Sequence, residues 1–303
     1  MKETNVNKPS QGKSRLSLNV EDREANKSDL WLKIIIYVAC IFLAILSILP
    51  FWIMIVNATR STVQINASQI SLIPSWHIAG NWKALAGKGF NPLIGFGNSV
   101  LIAGCSTILA VYFSSLTAYA NVAYDWKLKH AFFAFVMAIM MIPGQVTMIG
   151  FFQMVFQVKL ANHRLMLILP AIASASMVFF MRQYLQSALS MEIVQSARID
   201  GAGEFYTFNK IVLPIMKPAI ATQAIFSFVG SWNNLFTPMV LLAGNAKKHT
   251  MPMMVSLLKG DTYKTEYGSV YLGLTLTVLP LFVVYFALSK HIIAGVALGS
   301  VKG

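Results

Sequence analysis

Hydrophobic positions in this chain come in long blocks. They run at about 33–56, 98–123, 131–152, 165–185, 215–242 and 270–289, with shorter polar stretches between them. At 1.5 Å per residue each block is long enough to cross about 30 Å of hydrocarbon, so the pattern predicts six transmembrane helices and an all-α membrane protein. One stretch breaks the rhythm. Residues 190–214 lie between two apolar blocks and still carry Glu192, Arg198, Asp200, Glu204 and Lys210. A polar segment of that length has no place in lipid, so it belongs on the membrane surface. Its local signals describe an elbow. Ser190 suits an N-cap, and Glu192 falls in the first turn, at the positive end of the helix dipole. Gly201 can end that helix in a left-handed conformation. A second helix is expected from about Gly203 to Val212, with Phe205, Phe208 and Val212 on one stripe. Pro214 and Pro218 then bend the chain into the next block.

The elbow carries a resemblance. Ala197, Asp200, Gly201, Ala202, Phe208, Ile211, Leu213, Pro214 and Pro218 follow one another as in the cytoplasmic coupling (EAA) loop of bacterial ABC importer permeases. One departure stands out: Gln195 and Ser196 occupy places where that family usually has Glu and Ala, so a salt bridge from position 195 is lost while a hydrogen-bonding side chain remains. The similarity extends from about residue 34 to the C-terminus. It includes the segment 74–85, the Asn98–Ser99 pair, Met141-Ile142-Pro143, Asn162, Ser231-Trp232-Asn233, and a closing run with Gly295, Gly299, Lys302 and Gly303. It is nearest the maltose-type, carbohydrate-uptake branch.

That resemblance implies a type I ABC importer permease fold, six spans with a cytoplasmic coupling helix, and a role in moving a sugar or oligosaccharide into the cell. It implies four kinds of partner: a second, homologous permease subunit, two ATPase subunits, an external solute-binding protein and membrane lipid. No cofactor is expected on this chain, ATP and Mg being used by the ATPase. Nor are catalytic or metal-binding residues expected. The ATPase-coupling residues would be Glu192, Gln195, Ser196, Ala197, Asp200, Gly201 and Ala202. Asp200 has an equally good structural reading as a side-chain cap on the Gly201 break. Gln145, Thr147, Trp232, Asn233 and Asn234, polar or aromatic groups inside apolar blocks, are candidates for the substrate pathway, although Gln145 and Thr147 could equally join helix to helix.

Composition and charge narrow the alternatives. The chain has 303 residues, 56% of them hydrophobic, and a mean hydropathy of +0.62, a membrane composition. The net charge of +13 is scattered over termini and loops, which argues for topology signals and lipid contacts rather than nucleic acid. With the N-terminus inside, fifteen Lys and Arg fall in cytoplasmic segments and nine in external ones, so both termini are expected in the cytoplasm of a bacterium, at its inner membrane. Residues 1–32 read as a polar, basic and mostly disordered tail, or alternatively a short surface helix. Arg182 should snorkel to the headgroups. Cys40 and Cys105 should be free, buried thiols.

The energy source is narrowed by what is missing. All eleven acidic residues lie outside the apolar blocks, which disfavours an ion-coupled carrier. No phosphate-binding Gly-x-x-x-x-Gly-Lys-Ser/Thr loop is present, since Gly89 follows Gly87-Lys88 and Trp82 stands at the first glycine position. Other readings are an ABC permease for a different solute, an ion-coupled carrier or a membrane receptor. A membrane-embedded enzyme fits least, for want of paired carboxylates or a nucleophile–base set.

Overall fold

The structure, a computed structural model, describes residues 14–87, 89–258 and 265–300. Residues 1–13, Asp261 and Lys264 in the loop at 259–264, and the closing Lys302 and Gly303 lie outside that set. Among the described residues the regular secondary structure is helical.

Helix α1 spans Ser14–Ala58 and runs through Pro50. It begins far ahead of the apolar block, so residues 14–32 are helical rather than disordered. They contain no Pro or Gly, and a helix already fixed by the following span propagates into them without a new nucleus. From Leu30 onward α1 is exposed on nearly every side. It packs along the last helix, where Phe51 meets Phe282 edge-on at 5.7 Å between ring centres, and only its C-terminal end is tied elsewhere, Trp52 and Asn57 donating to Leu72 O and Gln69 O and Ala58 being buried. An apolar helix with so little cover from its own chain fits a membrane protein, where lipid or a neighbouring subunit is the solvent. For the same reason Cys40 is free but exposed, not buried, and Cys105 is only half-buried.

Short helices α2 (Thr62–Ala67) and α3 (Ile78–Gly87) follow. They enclose Arg60, whose guanidinium donates to Asn57 Oδ1, Ser68 O and Gln64 O at 2.7–2.9 Å. Helix α4 (Pro92–Ala123) is the centre of the bundle. Asn91 caps it by accepting from the Leu93 and Ile94 amides, with Pro92 in the first turn. Small residues fill its buried face: Gly95, Ser99, Ala103, Ala110, Ser114 and Ala118. That spacing lets other helices approach the backbone closely.

The third apolar block is interrupted rather than merely kinked. Helix α5 (Lys129–Met140) stops before Pro143, and α6 (Gly144–Gln157) leaves at 95° to it. Proline cannot donate to the turn before it and pushes the preceding residue out of the helical region. Helix α7 runs from Leu165 to Ala188, with a 3-10 turn at Leu169–Ala173 around Pro170. The elbow comes next: α8 (Met191–Ile199) and α9 (Glu204–Ile215). Helix α10 (Lys217–Trp232) stands at 80° to α9. The fifth block does not continue unbroken to residue 242; it breaks after Trp232 and restarts as α11 (Phe236–Leu241). Asn234 makes that break, its Oδ1 accepting from the Thr237 amide at 3.2 Å. Helices α12 (Met251–Leu257) and α13 (Tyr267–Ser300) complete the chain.

By length and composition, Leu30–Ala58, Pro92–Ala123 and Leu165–Ala188 are long and apolar enough to cross a membrane. Counting each bent pair as one span raises that to five, and Tyr267–Val283 is a shorter apolar helix. Helix α4 packs against α7, α10 and α12, while α13 packs against α1, α3, α10 and α12. Two buried clusters mark the ends of the bundle. One lies at the elbow, with Tyr119, Met181, Leu185, Val194, Phe208, Val212 and Met216. The other lies at the opposite end, with Leu85, Phe90, Met251, Met254, Val255 and Leu258.

Candidate functional site

The elbow's first arm, α8, is capped by Ser190, whose Oγ accepts from the Glu192 amide at 3.3 Å. At its far end the chain turns at Gly201, with φ +79°. The Ala202 amide reaches back to Ala197 O at 2.9 Å and the Gly201 amide to Arg198 O at 3.1 Å. These two bonds form a Schellman motif, which satisfies the helix's last carbonyls from the backbone alone. Asp200 contributes its amide, donating to Ser196 O at 2.9 Å. Its carboxylate makes no hydrogen bond or ion pair among the described residues, so the expected alternative of a side-chain cap is not how this bend is built.

The second arm differs from expectation. Phe208–Val212 is a π-helical turn. Phe208 and Val212 lie on the buried side, at 1% and 0% exposure, next to the buried Thr207, while Phe205 points away at 71%. The predicted stripe of three is therefore a stripe of two, and Phe205 joins Tyr206, Ile193 and Ile199 on the outer surface.

Glu192, Gln195, Ser196, Asp200 and Gly201 share that exposed surface, with Ala202 half-buried. Ala197 does not share it: its methyl group is buried against the core, and what it supplies to the bend is its carbonyl. An open recess of about 530 Å³ lies in the crook, lined by Ala197, Asp200, Gly201, Ala202, Gly203, Tyr206 and Ile211.

The arms are clasped by a side-chain cluster that sequence reasoning did not assemble. Arg198 Nε donates to Glu204 Oε1 at 2.6 Å, across the Gly201 turn. The other oxygen, Oε2, accepts from Tyr119 Oη at 3.2 Å and Tyr124 Oη at 2.5 Å, both at the end of α4. The Arg198 guanidinium also lies 5.3 Å from the centre of the Tyr124 ring. The hydrogen bond from Arg198, followed by that from Tyr124, holds the Glu204 carboxyl below the usual carboxylate range. Burial first, then the hydrogen bond to Glu204, raises the Tyr124 phenol. Arg198 and Glu204 are six residues apart with a glycine turn between them, so no helical i, i+4 rule pairs them. The tyrosines are about eighty residues away.

Arg182 is anchored rather than snorkelling. Its Nε donates to Asn121 Oδ1 at 2.5 Å, Nη1 donates to Gln186 Oε1 at 3.0 Å, and its guanidinium carbon lies 3.8 Å from the centre of the Phe133 ring. Asn121 is itself buried, which makes it a stronger partner than distant headgroups.

The candidate pathway residues separate. Trp232 is 1% exposed. Its Nε1 donates to Thr277 O at 3.1 Å, and its ring packs on Phe96 and Phe228. That ring is core, with no face free for a solute, because an indole with its N–H satisfied is a good filler between helices. Asn233 and Asn234 are exposed. Asn234 lines a cavity of about 180 Å³ with Ser231, Thr237 and Phe151. Gln145 and Thr147 lie on the exposed face of α6 beyond the break, Thr147 donating to Gly144 O at 2.9 Å. At the end of the bundle opposite the elbow, Asn98 donates to Lys247 O and His249 O, and Ser99 Oγ accepts from the Met251 amide. The Asn-Ser pair thus fastens the loop before α12 to α4. Asn162, with φ +63°, fastens the loop before α7 to the same region by accepting from the Gly244 amide.

Comparison with known proteins gives the setting for these features. A family model described as binding-protein-dependent transport system inner membrane component matches residues 110–297. The arabinooligosaccharides transport system permease protein AraQ of Halalkalibacterium halodurans is 34% identical over 264 residues, 86% of this chain and 94% of the relative. The lactose transport system permease protein LacG of Rhizobium radiobacter is 33% identical over 259 residues, 86% of this chain and 92% of the relative. The sn-glycerol-3-phosphate transport system permease protein UgpE of Yersinia pestis is 27% identical over 272 residues, 87% and 95% of the two chains. The fold is shared with a chain of a bacterial ABC transporter involved in the import of the acidic polysaccharide alginate. The TM-score is 0.72 at 22% identity, covering 87% of this chain and 97% of that one.

Proposed function

The chain belongs to the family of binding-protein-dependent transport system inner membrane components, and from that premise we propose that it is the permease subunit of an ATP-binding-cassette importer for a sugar or oligosaccharide. The solute is handed over by an external binding protein. A second permease subunit completes the pathway, and two copies of a separate ATPase supply the work, using ATP and Mg. The N- and C-termini lie in the cytoplasm, with the elbow on the same side, in a bacterial inner membrane.

The observation that carries this reading is the elbow. Its inner face is buried in the bundle through Val194, Phe208 and Val212, while its outer face mixes Glu192, Gln195, Ser196 and Asp200 with the exposed Ile193, Ile199, Phe205 and Tyr206. Charged and polar groups among large apolar ones suit a protein surface, not hydrocarbon. Asp200, with its carboxylate unclaimed, is the charge offered to the ATPase. Gln195, neutral where the family usually has a glutamate, offers a hydrogen bond instead. The Schellman bend fixes the angle at which both are presented. The sugar assignment is supported by relatives named for arabino-oligosaccharides and lactose.

The test is reconstitution. The chain, co-expressed with the permease and ATPase subunits that purify with it, should accumulate labelled arabino-oligosaccharides or lactose in proteoliposomes only with ATP and a binding protein present. Accumulation of sn-glycerol 3-phosphate alone would move the solute class. Uptake that survives an inactivated ATPase, or that follows an ion gradient, would overturn the assignment.

A further inference from the structure

The elbow joins its own bundle covalently through α7 and α10, but α4, the helix around which the bundle is packed, is about eighty residues distant in sequence. What ties the elbow to α4 is side chains. Phe208 lies 5.7 Å, centre to centre, from both Tyr112 and Tyr119. Tyr112 Oη donates to Asn209 Oδ1 at 3.3 Å. These contacts belong to the second arm alone. Glu204 is different, because it binds the first arm through Arg198 and α4 through Tyr119 and Tyr124 at once.

We propose that Glu204 is a positioning residue for transport: it locks the two arms of the elbow into one rigid body and couples that body to the end of α4, so that force applied at the elbow moves the bundle. The idea rests on the transport reading above and adds to it the route by which force leaves the elbow. Gly201 gives the reason a lock is needed. The Schellman bonds close the end of α8 around Gly201 but hold nothing beyond Ala202, so the backbone turn alone leaves the second arm, which begins at Glu204, untied to the first. The Arg198–Glu204 bond spans the turn. A carboxylate sharing one charged and two phenolic donors is held on three sides, and charge-assisted bonds of this kind resist displacement better than packing alone. Helix α4 then carries the movement to its contacts with α7, α10 and α12.

Hydrogen exchange on the assembled complex in nanodiscs separates this from a merely structural role. In the wild type, trapping the ATPase with ATP and orthovanadate should change protection both in residues 190–204 and in residues 116–126. In Glu204→Ala the first segment should still respond, since docking does not need the clasp, and the second should lose its response. The pair Tyr119→Phe with Tyr124→Phe keeps every ring in place and should give the same split, which guards against a folding defect in the alanine variant. A response at 116–126 that persists in both variants overturns the proposal, as does a wild-type response confined to 190–204. A wild type in which neither segment responds overturns the transport reading itself, a result distinct from the other two.

Discussion

Substituting Gly201 gives the sharpest check on the elbow, because the effects of different side chains there can be ranked in advance. The residue sits at φ +79°, and a Cβ built on it meets nothing within 4 Å. The cost of a side chain is therefore backbone strain without a clash. Asparagine tolerates the left-handed region and should cost well under 1 kcal/mol. Alanine should cost about 1 kcal/mol. Proline cannot reach positive φ, and it also removes the amide that donates to Arg198 O at 3.1 Å. Its cost is about 3 kcal/mol or more, enough to unmake the Schellman turn. Since about 1.4 kcal/mol corresponds to a tenfold change in an equilibrium, affinity for the ATPase should fall by a few-fold for alanine and more than a hundredfold for proline. Membrane insertion should be unchanged, because Gly201 is exposed and the helices on either side bury their own faces. The assay is binding of purified ATPase to the chain in nanodiscs, together with ATP-driven uptake. Equal binding by the proline variant and the wild type would refute the geometry, and so would the loss of all three variants from the membrane.

Glu204 gives a pH signature. Its folded-state carboxyl lies below its ordinary value, so the stability it lends is fully present above the normal carboxylate range, about pH 4.3. That stability is lost as pH falls through the depressed folded value. Thermal unfolding of the detergent-purified protein should show Glu204→Gln parallel to wild type from pH 7 to 5, with the wild type losing its advantage only below about pH 4; a gap that closes near neutrality would contradict the assignment. Arg182→Ala should destabilise by about 1–3 kcal/mol by leaving the buried Asn121 oxygen unpaired, read as a lower melting temperature. Arg182→Lys should recover only part of this, since lysine lacks the planar fork that serves Asn121, Gln186 and the Phe133 ring together. Trp232→Phe should lower stability by about 1 kcal/mol through the lost bond to Thr277 O, while leaving the half-saturating solute concentration of uptake unchanged; a shift in that concentration without a loss of stability would return Trp232 to the pathway.

The parts of this molecule that could be read from its sequence are those fixed by short-range chemistry or by the solvent. Apolar blocks as long as the bilayer is thick announce helices, and a polar interval between them must leave the lipid, so the elbow's existence followed from Glu192, Arg198 and Asp200 alone. Ser190 and Gly201 marked the ends of α8 because a cap and a left-handed turn each depend on one residue. What the pattern could not carry was any contact whose partners are remote. Trp232 among asparagines looks like a sugar platform, until α13 brings the Thr277 carbonyl to its N–H. Arg182 near a helix end looks free to reach headgroups until α4 presents Asn121. Phe205 looks like part of the apolar stripe until the packing turns Thr207 and Phe208 inward and leaves Phe205 exposed. The Glu204 clasp joins three segments, none of which predicts the others. These misreadings share a cause. In a membrane bundle an apolar face and a polar face no longer sort residues into inside and outside, since lipid takes the apolar surface that water would refuse. Burial here is decided by which helix lies next to which, and that is the information a single chain's pattern lacks. The elbow's position was legible because its polar residues exclude it from hydrocarbon whichever helix lies beside it, while its internal contacts, Phe205 and the Glu204 clasp among them, were as hidden as the rest.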